Sequence, residues 1–425
     1  MRSSTLVFLW LLAACTPPTP VGPDVSVRPS WAQDVAPLVS QHCSACHVEG
    51  GVAPFALTTY AQAQSMAGAM AAATAAKRMP PWMPSGATPA LEHARALSAE
   101  QIAVFQTWFE LNAPEGDTAS PAALPPPEQV RFEAPDLSVD IGVDYVPDAR
   151  VSDDYRCFLV DLALPGDRMA AALRVTPGNR KTVHHVIATL FDASDRAALE
   201  SIDAASAGPG WQCFGGPVPN ASGVQPAGAL GSWVPGVTAV RYPAGTGVKV
   251  AGGSLVVMQV HYNLAGGVDP DRTRLELEFA APATESTLQP ISAVPLARLN
   301  LAIPPGSTGW VEEQTLPART WARNRFYPDG DGWVIGVAGH MHTRGQRFQI
   351  LRTSGGVEST LLDIPAWDFH WQGSYVFKEP VQLLPADNLT VRCTFENPGA
   401  TTITWGEGTA DEMCLANLQV VDQRP

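Results

Sequence analysis

A five-residue motif near the N-terminus has the spacing that covalent haem attachment needs. Cys43-Ser44-Ala45-Cys46-His47 is a C-x-x-C-H motif. Its two thiols reach the two vinyl groups on one porphyrin edge, while the imidazole that follows reaches the iron. A zinc or dithiol redox site would need a second thiol pair or a thioredoxin-like βαβ context, which this stretch of sequence lacks. We therefore predict one covalently bound haem c, held by Cys43, Cys46 and His47.

A haem of this kind also needs a ligand on the iron face opposite His47, and a thioether sulfur is a common one. Met79 is our prediction, because it follows a predicted helix on a rigid Met-Pro turn. Met83 is the alternative. Met66 and Met70 lie within the predicted helix and are expected to pack rather than to bind iron.

Histidines form a second group of chemically capable residues, in the last three hundred positions. His340 and His342 are two residues apart in an apolar run, so an extended strand would place both side chains on one face. His261 lies near the end of another such run, and His184 and His185 are adjacent. Imidazoles that converge on one strand face commonly bind a metal, so the sequence predicts a metal site.

Four motifs then follow one another in a recognisable order. They resemble those of the copper type II, ascorbate-dependent monooxygenases, a family that includes peptidylglycine α-hydroxylating and dopamine β-hydroxylase relatives. The resemblance extends from about Ala134 to the C-terminus. A thioether among the ligands favours copper over zinc or iron, which agrees with it. The motifs are Val183-His184-His185-Val186, Gln259-Val260-His261-Tyr262, Gly339-His340-Met341-His342-Thr343 and Asp411-Glu412-Met413-Cys414.

The resemblance implies a mainly β protein with two tandem jelly-roll β-sandwich domains, at 135–283 and 284–425. It also implies two copper ions and two unequal sites. An all-nitrogen site would store an electron, and a nitrogen–sulfur site would bind O2 and attack a C–H bond. The implied ligands are His184, His185 and His261 for the first site, and His340, His342 and Met413 for the second.

Two of these residues carry further expectations. Adjacent strand residues face opposite sides of a sheet, so His184 and His185 can share one metal only at a strand end or a bulge. Gln259 shares a strand face with His261, and we expect its side chain to hydrogen-bond substrate or water. His370 lies in an aromatic, strand-like run and is predicted to pack.

The sequence departs from the peptide-hydroxylating branch of the family at two positions. That branch has an arginine, which grips a substrate carboxylate, two residues before its His-x-His, and Ala338 stands here. It also has a tyrosine four residues after the ligand methionine, where this chain has Asn417. A buried carboxylate needs a charge-assisted partner, so peptidyl-glycine is not the expected substrate.

The seven cysteines divide between three roles. Two belong to the haem motif, and Cys15 is predicted to carry lipid. The other four suggest two disulfides in an exported protein, with three pairings open. The family's pattern favours Cys393–Cys414, which leaves Cys157–Cys213. A thiolate ligand at Cys414 is the minor alternative.

The N-terminus predicts export. Residues 1–14 contain a short apolar run that ends in small residues before Cys15, and a Pro-rich stretch follows. This resembles the lipobox of bacterial lipoproteins; an ordinary signal peptide with an incidental cysteine is the alternative. We predict a tether over 15–30. Thr16 gives no inner-membrane retention signal, which favours an outer-membrane anchor that faces the periplasm or the cell surface.

Helical and β elements must position these groups. A helix upstream of the haem motif, one over 60–77 and one capped by Ser98 predict a compact cytochrome c-like domain at 31–113. A Pro-rich linker is expected over 114–134. Beyond it, short alternating runs with frequent Gly and Pro predict an all-β region.

Composition limits the remaining functions. The net charge of −14, from 27 basic and 41 acidic residues, argues against nucleic acid as a partner. We predict an enzyme, a copper-dependent monooxygenase that hydroxylates a C–H bond of an unidentified organic substrate with O2. Electrons would come through the haem, from ascorbate or a periplasmic donor. The alternative is a non-catalytic electron-transfer or copper-binding lipoprotein of the periplasm.

Overall fold

The computed structural model describes residues 28–425 except 52, 127–129, 131, 133, 214–215, 236, 238, 319–331 and 407–410. The predicted lipidation site Cys15 and the apolar leader lie outside the described residues. Within the described part of the chain, every helix is too short or too polar to cross a bilayer.

The N-terminal segment is helical and has its own small core. Fully buried Phe105 and Trp108 lie at its centre. The helix predicted over 60–77 is two helices, because the backbone at Met66 leaves the helical conformation (φ −109°, ψ 6°). Ser98 caps the last helix through a capping box, as predicted. The elements are a π-helical turn Trp31–Val35, α1 Ala36–His42, α2 Tyr60–Ser65, α3 Ala67–Ala75 and α4 Ala99–Glu110.

The rest of the chain is mainly β, as predicted, and its first half is a pair of sheets that we call the first β domain. One sheet has the order β1-β10-β3-β8-β11, with β7 beside β3, and the other has the order β5-β2-β9-β4-β6. Side chains from both sheets share one core. The elements are β1 Leu137–Asp140, β2 Asp153–Asp161, β3 Arg168–Thr176, β4 Val183–Phe191, α5 Arg196–Ala204, β5 Trp211–Gln212, β6 Gly228–Trp233, β7 Val240–Arg241, β8 Thr246–Val250, β9 Leu255–Asn263, β10 Arg274–Phe279, α6 Pro282–Glu285 and β11 Gln289–Pro290.

The second half, the second β domain, repeats this arrangement with its own core. Its sheets have the orders β12-β21-β15-β18 and β14-β19-β16-β17, with a short pair β13-β20. The elements are β12 Ser292–Ala297, β13 Ala302–Ile303, β14 Ser307–Pro317, β15 Gly332–His340, β16 Gly345–Ser354, β17 Val357–Ile364, β18 Ser374–Leu383, β19 Asn388–Asn397, β20 Ile403–Thr404 and β21 Leu415–Val421.

Each β domain contains one disulfide, and the pairing is the predicted one. Cys157 on β2 is bonded to Cys213, with Cα atoms 5.8 Å apart. Cys393 on β19 is bonded to Cys414, with Cα atoms 5.9 Å apart. Because Cys414 lies within a disulfide, it does not offer a free thiolate to a metal.

The helical segment is attached to the second β domain by the chain between α3 and α4. Leu91 pairs with Phe377 of β18 and is buried in the core of the second β domain. The Ser85 hydroxyl donates to the Asp363 carboxylate at 2.6 Å. These contacts hold the haem motif next to the β region.

Candidate metal centres

Three histidines of the first β domain converge at the end of a paired strand. His185 on β4 lies opposite His261 on β9, and the register shifts between Val183 and His185. This is the bulge that adjacent histidines need in order to face one metal. One ligand atom from each of His184, His185 and His261 lies within 4.8 Å of the others. We call this group the first site.

The ring nitrogens of the first site fit a metal. The Nδ1 atoms of His185 and His261 lie 3.2 Å apart. His184 Nδ1 is buried and has no hydrogen-bond partner among the described residues. A buried polar atom normally has a partner, so a metal ligand role accounts for this one. Burial lowers the pKa of His184 to about 4 and that of His185 well below its usual value, which keeps both rings neutral.

Neighbours of the first site fix the third ring. His261 Nε2 lies 2.8 Å from Asp153 Oδ1, and its ring stacks on Tyr155 with 4.1 Å between ring centroids. This hydrogen bond holds the pKa of Asp153 down, at about 2. A carboxylate that accepts from one ring nitrogen leaves the other as the lone-pair donor. Asp153 was not among the residues predicted from the sequence.

The second β domain presents a different arrangement at the end of β15. His340 is the last residue of that strand, whereas His342 lies two residues beyond it, so the predicted strand is two residues too long at this end. The two rings are nonetheless close, with centroids 5.1 Å apart. His340 Nδ1 lies 2.6 Å from Gln372 Oε1, and His342 Nδ1 lies 3.0 Å from the Asp411 carbonyl oxygen. A metal held by these two rings would therefore be bound through their Nε2 atoms.

Met413 reaches the same place from the strand-end loop before β21. Its side chain is buried, and it lines one cavity together with His340 and His342. We call these three residues the second site. Two imidazoles and a soft sulfur suit copper, including its cuprous state. The ligand chemistry of both sites therefore fits copper.

Glu412 joins the two loops of the second site, and sequence reasoning missed it. Its carboxylate accepts from the backbone N–H groups of His342 at 2.8 Å and Arg344 at 2.6 Å. It also accepts from the N–H group of Met413 at 3.2 Å. Burial nevertheless raises its pKa to about 7. The only sequence signal was an acidic residue beside the ligand methionine.

A cavity of about 250 Å³ lies between the two sites, and we call it the intersite cavity. His185 and Gln259 line it from the first β domain. The Gln259 amide nitrogen donates to the Cys213 carbonyl oxygen, which leaves the amide oxygen for the cavity. Its expected hydrogen bond to substrate or water stays a prediction. The second β domain contributes Ala338, His340, His342, Phe369, Gln372 and Met413.

The residues of the haem motif line a larger cavity of about 1000 Å³, which we call the haem cavity. Cys43, Cys46, His47 and Met79 all line it. His47 Nδ1 lies 3.1 Å from the Phe55 carbonyl oxygen, so Nε2 is the nitrogen that remains for iron. Burial raises the pKa of the Cys43 thiol to about 12. The buried hydroxyl of Thr182, which has no partner among the described residues, also lines the cavity.

The structure separates Met83 from the other candidate axial methionines by position. Met79 lies at the haem cavity, as do Met66 and Met70. The sulfur of Met83 accepts from the Asp368 N–H at 3.3 Å and packs against the second β domain instead. Size and donor set fit a haem, and Met79 stays the predicted ligand.

His370 differs from its prediction. It is part of a single turn, Phe369–Trp371, in which no residue is fully buried, and not of a buried strand. Its side chain is 59% exposed, and its ring centroid lies 5.9 Å from that of His184. It lines both cavities. Nothing local in the sequence signals a contact between positions 184 and 370.

Comparisons with known proteins agree with this geometry. Residues 299–420 match the family model described as copper type II ascorbate-dependent monooxygenase, C-terminal domain. This part of the chain is therefore similar to copper type II ascorbate-dependent monooxygenases, which are enzymes. The matched stretch begins just before β13 and ends one residue before the end of β21, so it covers most of the second β domain.

Three relatives extend the likeness. Peptidyl-glycine alpha-amidating monooxygenases A and B of Xenopus laevis are each 26% identical, over 296 and 292 residues and 67% of this chain. Tyramine beta-hydroxylase of Caenorhabditis briggsae is 21% identical over 250 residues and 57% of the chain. The matched stretches span 28%, 30% and 40% of the relatives' own lengths.

Proposed function

We propose that the protein is a copper-dependent monooxygenase that hydroxylates a C–H bond of a small organic substrate with O2. The observation that carries the proposal is that His185 of the three-histidine first site lines the same cavity as His340, His342 and Met413 of the second site, which has a different ligand chemistry. Bound copper would supply the redox chemistry of O2 activation at the second site. A protein that only stored copper would not need two unlike sites.

Neighbouring residues of the chain orient these ligand side chains through hydrogen bonds. Asp153, Gln372 and the Asp411 carbonyl each engage one ring nitrogen and so orient a histidine. The Glu412 carboxylate accepts hydrogen bonds from the backbone of both His342 and Met413, and so links the two loops that carry these ligands. Such partners fix the ring orientation before metal binds, which lowers the cost of binding. Gln259 is the proposed polar contact for substrate or bound water.

The substrate that we propose is small and lacks a carboxylate to be gripped at the second site. Ala338 lines the intersite cavity at the position where the peptide-hydroxylating branch has its arginine. The described residues that line the cavity include no Lys or Arg side chain. A buried carboxylate without a cationic partner would be costly. Peptidyl-glycine is therefore not the proposed substrate.

We also propose that a haem c on Cys43, Cys46 and His47, with Met79 as axial ligand, supplies the electrons. Hydroxylation consumes two electrons per turnover. The support is position: the haem cavity reaches His184 of the first site. Ascorbate or a periplasmic protein would reduce the haem. Cys15 is the proposed lipid anchor, at the outer membrane, and the two disulfides agree with export.

Metal analysis with EPR tests the enzyme proposal against the carrier alternative. We expect two type II coppers and one low-spin haem per chain. Zero or one copper would favour the non-catalytic lipoprotein. The haem proposal is tested by mixing haem-reduced, copper-loaded protein with O2. Haem oxidation should be faster than in a variant with both His340→Ala and His342→Ala; equal rates would contradict it.

A further inference from the structure

Residues of both β domains line one side of the haem cavity. Thr182 and His184 of the first β domain line it, as do His370 and Trp371 of the second. His184 belongs to the first site, so that site and the haem cavity share a wall. His370 lines the intersite cavity as well. The turn that contains His370 therefore borders both cavities.

Aromatic rings continue from this turn to the second site. The ring centroids of His184 and His370 lie 5.9 Å apart, and those of His370 and Phe369 also lie 5.9 Å apart. The Phe369 ring lies 6.0 Å from that of His342. Two side chains, His370 and Phe369, thus separate the haem cavity from a second-site ligand.

Residues 368–372, which we call the bridge, are held by hydrogen bonds at both ends. Asp368 accepts from the His370 N–H at 2.9 Å and lies 3.0 Å from its ring Nδ1. The Asp368 N–H donates to the sulfur of Met83, in the chain that follows Met79. At the other end, Gln372 donates to the Phe369 carbonyl and its oxygen contacts His340 Nδ1. The bridge therefore spans from the haem segment to the second site.

We propose that this bridge carries electrons directly from the haem cavity to the second site, through His370 and Phe369. The inference rests on the proposed haem and copper function and adds a second route, which does not pass through the first site. Each transfer oxidises one ferrous haem to ferric and reduces one cupric ion to cuprous. No bond forms or breaks. A small-molecule or protein donor re-reduces the haem.

Flash photolysis of the full-length, copper-loaded protein tests the route. A photoexcited ruthenium complex with a sacrificial donor reduces the haem under anaerobic conditions, and haem absorbance then reports its reoxidation. The first site is removed with His185→Ala and His261→Ala, which leaves His184 in place. Metal analysis and EPR confirm one remaining copper, at the second site. Reoxidation of the haem in this background measures the direct route alone.

In that background, His370→Ala and Phe369→Leu should each slow haem reoxidation by about tenfold or more, because each removes a ring from the route. His93→Ala is the matched control: it is an exposed histidine of the helical segment that lines neither cavity, and the rate should not change. Equal rates in all variants would overturn the bridge. So would the absence of reoxidation once the first site is removed.

A second measurement separates this inference from the proposed function. If haem in the otherwise unaltered protein is not reoxidised by its copper, the proposed haem supply fails. If it is reoxidised, but His370→Ala alone leaves every kinetic phase unchanged, the supply stands and the bridge is wrong. Because this variant keeps all six copper ligands, the comparison holds even if the first-site double variant does not fold.

Discussion

The two candidate metal sites both contain histidines, but their histidines present different nitrogens. In the first site the Nδ1 atoms of His185 and His261 face each other, and Nε2 of His261 is held by Asp153. In the second site the protein engages Nδ1 of both His340 and His342, so a metal there would be bound through Nε2. The partner at the back of each ring decides which nitrogen a metal meets.

The supporting elements differ in the same way. His185 and His261 lie opposite each other on paired strands, so the sheet itself sets their separation. His342 and Met413 lie in loops that Glu412 joins. A site built on paired strands is more rigid than one built on loops. Rigidity suits the electron storage proposed for the first site, whereas a loop-built site adapts more easily to the O2 and substrate proposed for the second.

Loss of one ligand from each site gives the largest expected effect. His261→Ala and His342→Ala should each reduce the copper content from two ions to one. We expect the affinity of the altered site to fall by more than about a hundredfold, since even residues behind the ligands contribute 10- to 100-fold. Metal analysis and EPR of the dialysed variants measure this. Two retained coppers in either variant would contradict the assignment of that site.

The sequence predicted the local part of this comparison. The adjacent pair His184 and His185 required a bulge or strand end, and the register shift at that position confirms the bulge. Alternation also predicts β15, but not where it ends, so it places His342 in the strand, whereas the strand stops at His340. Strand ends depend on turns and partners that a periodic pattern does not contain.

Contacts between segments that are far apart in the chain could not be predicted from the sequence. Asp153, Gln372 and Glu412 act through neighbours that the fold brings to them, and no spacing rule links them to a histidine. His370 illustrates the same limit, because its aromatic surroundings indicated packing while its position between cavities depends on both β domains. The comparison of the two sites therefore required the tertiary structure.

Removal of each disulfide should have the next largest effect, a loss in the free energy of unfolding. Cys157→Ala with Cys213→Ala opens a bond with a sequence separation of 56, and Cys393→Ala with Cys414→Ala one with a separation of 21. Loop-closure entropy predicts losses of about 4 and about 3 kcal/mol in the free energy of unfolding. Urea unfolding measures both.

Only the second disulfide adjoins a metal ligand. Copper titration should therefore show weaker binding at the second site in the Cys393/Cys414 variant, and unchanged second-site binding in the Cys157/Cys213 variant. Equal effects of both variants on that site would argue that Met413 does not depend on its neighbouring disulfide.

Glu412 gives a pH test that applies only to the loop-built site. Its pKa in the folded protein is raised to about 7, above the usual 4.5, by burial. The folded state therefore holds this proton more tightly, and the stability so gained is present below pH 4.5 and lost as pH rises through 7. In copper-free protein, the unfolding free energy of the native chain minus that of Glu412→Gln should fall by on the order of 3 kcal/mol between pH 4.5 and 8.

Urea unfolding at several pH values checks this difference. Asp363→Asn is the matched control: this carboxylate is buried in the same domain but lies away from the second site. An equal fall for this variant would assign the change to the loss of any buried carboxylate in this domain and not to Glu412. A difference for Glu412→Gln that is flat with pH, or that rises, would contradict the assigned cause.

The smallest effect concerns the groups behind the rings. Asp153→Asn keeps the size of the side chain at the first site but weakens the acceptor for His261 Nε2, and Gln372→Leu removes the acceptor for His340 Nδ1. Each should weaken copper binding about tenfold at its own site and leave the other site unchanged. Competition titration with a copper chelator measures both affinities.

The Asp153 carboxylate also fixes the proton on Nε2 of the His261 ring. A larger loss of copper affinity for Asp153→Asn than for Gln372→Leu would show that the negative charge matters more than the orientation of the ring. Equal losses of copper affinity in the two variants would instead assign the effect to ring orientation, which Asp153 and Gln372 both fix.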